Sequence, residues 1–374
     1  MTSFALKTLI SDRGKLLIAL GGVVFTLVLV NIQGGLFFGL INKASLLIDK
    51  CDADIWVGRR GVENVDLPAE IPEAWLHRIR VLPGVAAVKP YIVAAANMSL
   101  KNGEFEGVWV VGSDPDTMLG SAWSFAEGNL AALKQPNSIA VDVADDRKLG
   151  HPRVGDVVEI SGHRAKVVAK TRDSQNFMTT PLVFTTLDSA RNYARYQDGY
   201  CAYFLVQALE GADLNQLCET IRQRLPDLDV YRADDFSAMS KQYWIQRTGI
   251  GVSFGASTLL GVFVGFLMVG QSLYALALDH LGEYATLKAM GAVDAQICWV
   301  VILQALSIAA GGVAIGVILV FQMQQVLSSP LAPIDIRPEL LLGGIVLVFC
   351  ICLVAAILPL LRIRRIDPAS VLQG

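Results

Sequence analysis

Four stretches of this chain carry no charge at their centres and are each long enough to cross a bilayer, which restricts the fold more than any other feature. A spanning helix needs about 20 mostly apolar residues to cross roughly 30 Å of hydrocarbon. The first stretch lies between Lys15 and Lys43, with its apolar centre from Leu16 to Ile32, and the second between Arg247 and Asp279. The third begins after Asp294 and runs to about Phe321, and the fourth lies between Glu339 and Arg362. A Lys, Arg or Asp at the middle of such a helix costs about 2.5–3.5 kcal/mol. The uncharged run after Asp294 continues to Asp335, but Gln322, Gln324, Gln325, Ser328, Ser329, Pro330 and Pro333 make its second half polar and helix-breaking, so it reads as a loop.

Lys7, Arg13 and Lys15 precede the first span, and Arg362, Arg364 and Arg365 follow the last. The positive-inside rule places both termini in the cytoplasm, as an even number of crossings requires. The first apolar run is too long for a secretory signal and leads into Asn42 and Lys43 without a small-residue cleavage pattern. Residues 1–42 therefore read as a cytoplasmic segment with the first span, and residues 43–247 as an extracytoplasmic domain. Residues 248–374 hold the other three spans, with 279–295 as a short cytoplasmic loop and 322–339 as an outer one. Charge follows the same division: 50 of the 65 formal charges, 23 Lys/Arg and 27 Asp/Glu, fall between Lys43 and Arg247. That slight acidic excess excludes a basic nucleic-acid footprint.

The soluble block reads as mixed α and β. Trp75, Leu76, Ile79 and Leu82 fall at helical spacing before a Pro83-Gly84 break and a strand-like Val85 to Val88. Leu214, Leu217, Ile221 and Leu225 repeat the pattern before Pro226 and a strand-like Leu228 to Tyr231. Two such units imply a small α/β sandwich made of two half-motifs. Between them, Ser138 to Val141, Val157 to Ile160, Ala165 to Lys170 and Leu182 to Thr185 predict an inserted, mostly β subdomain from about 115 to 200.

No catalytic constellation stands out. His77, His151, His163 and His280 are scattered without metal-ligand spacing, and Gly14-Lys15 lacks the surroundings of a phosphate loop, so neither a metal nor a nucleotide is expected on this chain. Asp145-Asp146 and Asp234-Asp235 read as solvated turns in preference to acid pairs or calcium ligands. Cys51, Cys201 and Cys218 in the soluble block are read as free thiols. The spans offer amides and hydroxyls such as Asn31, Gln271 and Gln304 but no ionisable relay, which disfavours an ion-coupled carrier.

Small residues recur at packing distance: Gly251 with Gly255, Gly261 with Gly265, and Gly312 with Gly316. Each pair allows close backbone approach, either among the helices of one subunit or along a homodimer seam on the second span. The inner loop carries the most information. Asp279 to Ala292 can form a short helix ending at Gly291, with Leu287 and Met290 as an apolar ridge beside Glu283 and Lys288. Such a helix suits docking into a groove on a soluble partner.

Glu283-Tyr-Ala-Thr-Leu-Lys-Ala-Met-Gly-Ala292 resembles the signature after the second span of FtsX/MacB-type ABC transporter permeases (type VII ABC fold). The ending Leu358-Pro-Leu-Leu-Arg-Ile-Arg-Arg-Ile-Asp-Pro-Ala-Ser-Val-Leu372 is similar to that family's Pro-bearing last span, basic turn and Asp-Pro tail. There Arg362, Arg364, Arg365, Asp367 and Pro368 would mark orientation and the C-terminal motif. The layout of one span, a large external domain and three further spans agrees. Asp52-Ala-Asp-Ile-Trp-Val57 and the length bring the chain closest to DevC-like exporter permeases. One departure is Gly282, where many members carry Arg before the glutamate.

The resemblance implies an α-helical membrane protein with four transmembrane helices and a large extracytoplasmic α+β domain, made of a porter-like α/β sandwich and an inserted β subdomain. It would be a non-enzymatic permease of the bacterial inner membrane, working as a homodimer with two copies of an ABC ATPase that carry ATP and Mg. Glu283, Tyr284, Leu287, Lys288, Met290, Gly291 and Ala292 would form the coupling helix on that ATPase. The periplasmic domain would meet an adaptor (a membrane fusion protein) and an outer-membrane channel. The resemblance implies efflux first, with an FtsX-like regulator of a cell-wall hydrolase and a LolCE-like lipoprotein-extracting permease as alternatives.

Overall fold

The computed structural model describes residues 7–9 and 11–364, which form two units: the two ends of the chain, up to Gly39 and from Ile250, and the segment Leu40–Gly249. A long helix α1 (Arg13–Asn42) runs through a tight turn, Lys43–Ser45, into the short helix Leu46–Asp49. There follow β1 (Ile55–Arg59), β2 (Ile71–Pro72), α2 (Leu76–Arg80), β3 (Val85–Ser99), β4 (Phe105–Ser113) and β5 (Phe125–Glu127). Next come β6 (Ser138–Asp142), β7 (Val157–Ile160), β8 (His163–Thr171), β9 (Leu182–Thr186) and α3 (Leu187–Ala194). The domain finishes with β10 (Tyr200–Cys201), β11 (Tyr203–Ala208), α4 (Leu214–Arg224), β12 (Leu228–Arg232) and α5 (Ala233–Arg247). The rest is helical: α6 (Ile250–Asp279), α7 (Leu281–Ala289), α8 (Asp294–Leu327), α9 (Pro338–Ala355) and α10 (Ile357–Arg364).

Among the described residues four helical segments, begun by α1, α6, α8 and α9, are long and apolar enough to cross a membrane. The third is longer than expected. Gln322, Gln324 and Gln325 sit in its last turns, because glutamine propagates a helix well and the break waits for Ser328 to Pro330. The fourth is split at Ala356, where Pro359 has no N–H to give the Ala355 carbonyl. Within this unit α1 is the central element. Val23 and Leu27 press onto Gly312 and Gly316 of α8, where a Cβ at Gly312 would stand 2.2 Å from Val23. Thr26 and Leu29 fill the space beside Gly265 and Gly261 of α6, and Asn31 meets Gly344 of α9. Two buried polar side chains of α1 bond within the helix: Thr26 donates to the Gly22 carbonyl (2.8 Å) and Asn31 to Leu27 (2.9 Å).

In the Leu40–Gly249 unit, an antiparallel sheet of order β12-β1-β11-β3 carries α2 and α4 on one face through Leu76, Ile79, Leu217 and Ile221. The opposite face packs on Leu47, Ile48 and Phe236, from the short helix after α1 and from α5. Trp56 stands fully buried there, edge-on to Tyr91 and Tyr203.

β3 is shared. Its first half pairs with β11 as far as Tyr91, and its second half pairs with β4 from Ile92. From β4 the pairing passes to β9, β6, β8 and β7, and β7 returns to β3 at Met98 and Ser99. The β-rich part is therefore a closed six-stranded ring, which leaves few free strand edges. Met98, Val110, Ile139, Ile160, Val167 and Val183 join one core, while the alternate residues Val111, Ala140, Leu182 and Phe184 join the other. The ring takes in residues from Ile92, ahead of the expected start near 115. β3 runs well past the expected strand Val85 to Val88 and changes partners between Tyr91 and Ile92.

Candidate functional site

The loop between α6 and α8 folds into α7 for local reasons. Glu283 stands in the first turn and Lys288 in the last, each favoured by the helix dipole. The stop is a Schellman turn: Ala292 N–H donates to the Leu287 carbonyl (3.0 Å) and Gly291 N–H to Lys288 (3.0 Å). That turn needs a left-handed residue, and Gly291 supplies it with φ +94°.

One face of α7 is fixed to the helical bundle. Tyr284 and Ala285 are fully buried, and Leu281, Leu287 and Ala292 pack against the same core. Burial pushes the Tyr284 phenol up to about 12, and Gln304 of α8 lies beside it. Gln304 also donates to Thr8 Oγ1 at 2.8 Å, so an amide in the third span holds the loop and the N-terminal segment together. Ion pairs close the edges, Lys288 with Asp294 at 2.8 Å and Lys15 with both Asp12 (2.9 Å) and Asp279, and His280 Nδ1 is hydrogen-bonded to Glu283 at 3.0 Å.

The other side is open. Met290 is 72% exposed and Val293 58%, on either side of Gly291, and Glu283 is exposed. The expected Leu287–Met290 ridge is thus divided. Leu287 shares the inward face of Tyr284, three residues back, whereas Met290 leaves the helix end as the Schellman turn begins. Tyr284 is an anchor of the loop and not a surface contact. Val293, which the sequence reading did not single out, completes the exposed apolar tip.

The remaining site residues separate clearly. Gly261 and Gly265 are buried against α1, while a Cβ at Gly255 would meet open space, next to the partly exposed Gly251. Arg362 is exposed at the end of α10, Arg364 closes the same helix, and Arg365, Asp367 and Pro368 lie outside the described residues. Asp145 is not in a solvated turn: it is 1% exposed, and burial raises its carboxyl to about 6, whereas the Asp234 side chain is 91% exposed. Among the described residues no group of His, Cys, Asp or Glu is arranged to hold a metal ion. All six cysteines are unpaired thiols.

The MacB-like periplasmic core domain matches residues 16–224, and the FtsX-like permease C-terminal domain matches residues 255–368, which include α7. The chain belongs to the MacB/FtsX-type ABC transporter permeases. An uncharacterized ABC transporter permease of Mycobacterium tuberculosis is 26% identical over 361 residues, covering 94% of this chain and 93% of the relative. An uncharacterized ABC transporter permease of Mycobacterium bovis is 26% identical over 379 residues, 99% of each chain. Among solved structures, the periplasmic region of MacB from Actinobacillus actinomycetemcomitans aligns with a TM-score of 0.39 and 9% identity, over 49% of this chain and 90% of that one. In this permease the α7 loop and the ring-bearing domain belong to one polypeptide.

Proposed function

We propose that this permease serves an ATP-driven exporter, in which a separate ABC ATPase, carrying ATP and Mg, docks on residues 279–295 and moves the extracytoplasmic domain. The observation that supports this reading is the two-sided character of α7. Its inward face is held by Tyr284, Leu287 and the Lys288–Asp294 pair, while Met290 and Val293 project as an apolar tip. A tip on a fixed base passes on the movement of a partner groove, where a loosely tethered loop would absorb it.

A second copy of the chain fits the exposed stripe of α6. Val252, Leu259, Phe263 and Leu267 lie on that stripe, and the Gly251/Gly255 pair allows close approach beside it. The protein would sit in the bacterial inner membrane with both termini in the cytoplasm. The large two-part domain favours DevC-like export, through a periplasmic adaptor and an outer-membrane channel, over a regulatory role. Reconstituting the chain with its ATPase tests the reading. Hydrolysis stimulated by the wild-type permease should be lost with Gly291→Pro, and equal stimulation by both proteins would refute it.

A further inference from the structure

The loop between β8 and β9, residues 172–181, places three consecutive polar side chains in the interior: Ser174, Gln175 and Asn176 are each at most 2% exposed. Ser174 donates from its N–H (2.8 Å) and its hydroxyl (2.6 Å) to Asp142 at the end of β6. The Gln175 amide faces two ways: its Nε2 donates to Asp145 (3.1 Å), and its Oε1 accepts from Lys43 Nζ (3.2 Å). Lys43 is the residue that follows α1. Two residues further, Phe177 packs on Trp244 of α5 with ring centroids 4.6 Å apart, and α5 ends three residues before α6 begins. Lys241 of α5 in turn pairs with Asp49 at 3.3 Å. One loop of the ring thus touches both segments by which the chain enters and leaves the domain.

The polar core beneath the loop is held but not saturated. Asp145 Oδ2 and Asn176 Nδ2 are buried without a hydrogen-bond partner among the described residues.

We propose that the 172–181 loop is a clamp that makes the ring move together with both membrane-bound ends of the domain, with Gln175 and Phe177 as its positioning residues. The inference rests on the force-transmission reading above and assigns the contact through which force crosses from the helical segments to the ring.

Hydrogen exchange on the full-length permease in nanodiscs, without any ATPase, tests the clamp. Gln175→Ala and Phe177→Ala should each speed exchange about 2–10-fold, both in Leu46–Asp49 and along α5. The strands β3 and β11 should stay protected, and Phe177→Tyr, which keeps the ring, should restore the wild-type pattern. Faster exchange confined to the loop, or spread evenly over the domain, would overturn the clamp. Stimulated hydrolysis is then read on the same variants. Failure of the wild-type permease to stimulate any ATPase would strike the transport reading alone, because the exchange pattern is measured on the permease by itself.

Discussion

The indole N–H of Trp244 donates to the carboxylate of Asp66 at 3.3 Å, tying the last turn of α5 to a residue that is 2% exposed. No cation pairs with Asp66 among the described residues, and burial raises its carboxyl from 3.8 to about 7.

Stability should therefore depend on pH through this group. Between 3.8 and about 7 the folded form keeps a proton that the unfolded chain has released, so stability falls as pH rises through that window. The loss is complete above about 7. Asp66→Asn keeps an oxygen for Trp244 and cannot ionise. It should raise the melting temperature by roughly 3–8 °C at pH 8 and change it little at pH 4, as measured by thermal unfolding of the detergent-solubilised chain.

Gly291→Ala should shorten α7 without displacing the bundle. A Cβ at φ +94° costs about 1 kcal/mol, enough to loosen the Schellman turn that sets the direction of Met290 and Val293. Stimulated ATP hydrolysis should fall several-fold while the amount of protein in the membrane stays at the wild-type level, as read by immunoblot.

The glycine pairs should behave oppositely. Gly312→Leu overfills the space occupied by Val23, at a cost of about 1–3 kcal/mol, and should lower both yield and thermal stability. A Cβ at Gly255 meets no described atom within 4 Å, so Gly255→Leu should leave the monomer its melting temperature while crosslinked dimer is lost.

Much of this was legible in the sequence, for identifiable reasons. Helices that face lipid must be apolar around most of their circumference and uncharged at their centres, so the four spans could be read from Lys15, Lys43, Arg247, Asp279 and their counterparts. Strands β6 to β9 were legible because short apolar, β-branched runs stand between Gly, Asp and Pro turns. The closure of the ring was not, since it depends on two residue pairs between β3 and β7, far apart in sequence. Gln322 to Gln325 misled because polarity was read as irregularity, although glutamine propagates a helix. On α7 the pattern located the helix and its glycine stop but not the direction of its faces. Tyr284 could be recognised as an anchor only with Gln304 of another span beside it.

Sidedness has a direct check. Phe105 is 70% exposed on β4, and Phe105→Cys should react with an impermeant thiol reagent added to intact spheroplasts. Cys51 and Cys201 should stay silent because both are buried, with thiols pushed far above the usual range. Reaction at Phe105→Cys only after membrane disruption would reverse the assigned topology.

Affinity purification of the tagged chain in mild detergent, with partners identified by mass spectrometry, tests the proposed coupling most directly. Wild-type permease should bring down a soluble ABC ATPase, and the Met290→Asp/Val293→Asp double variant, inserted to the same level, should lose most of it. Recovery of no ATPase with the wild-type chain, or equal recovery with the variant, would contradict the assignment of this loop as the ATPase contact.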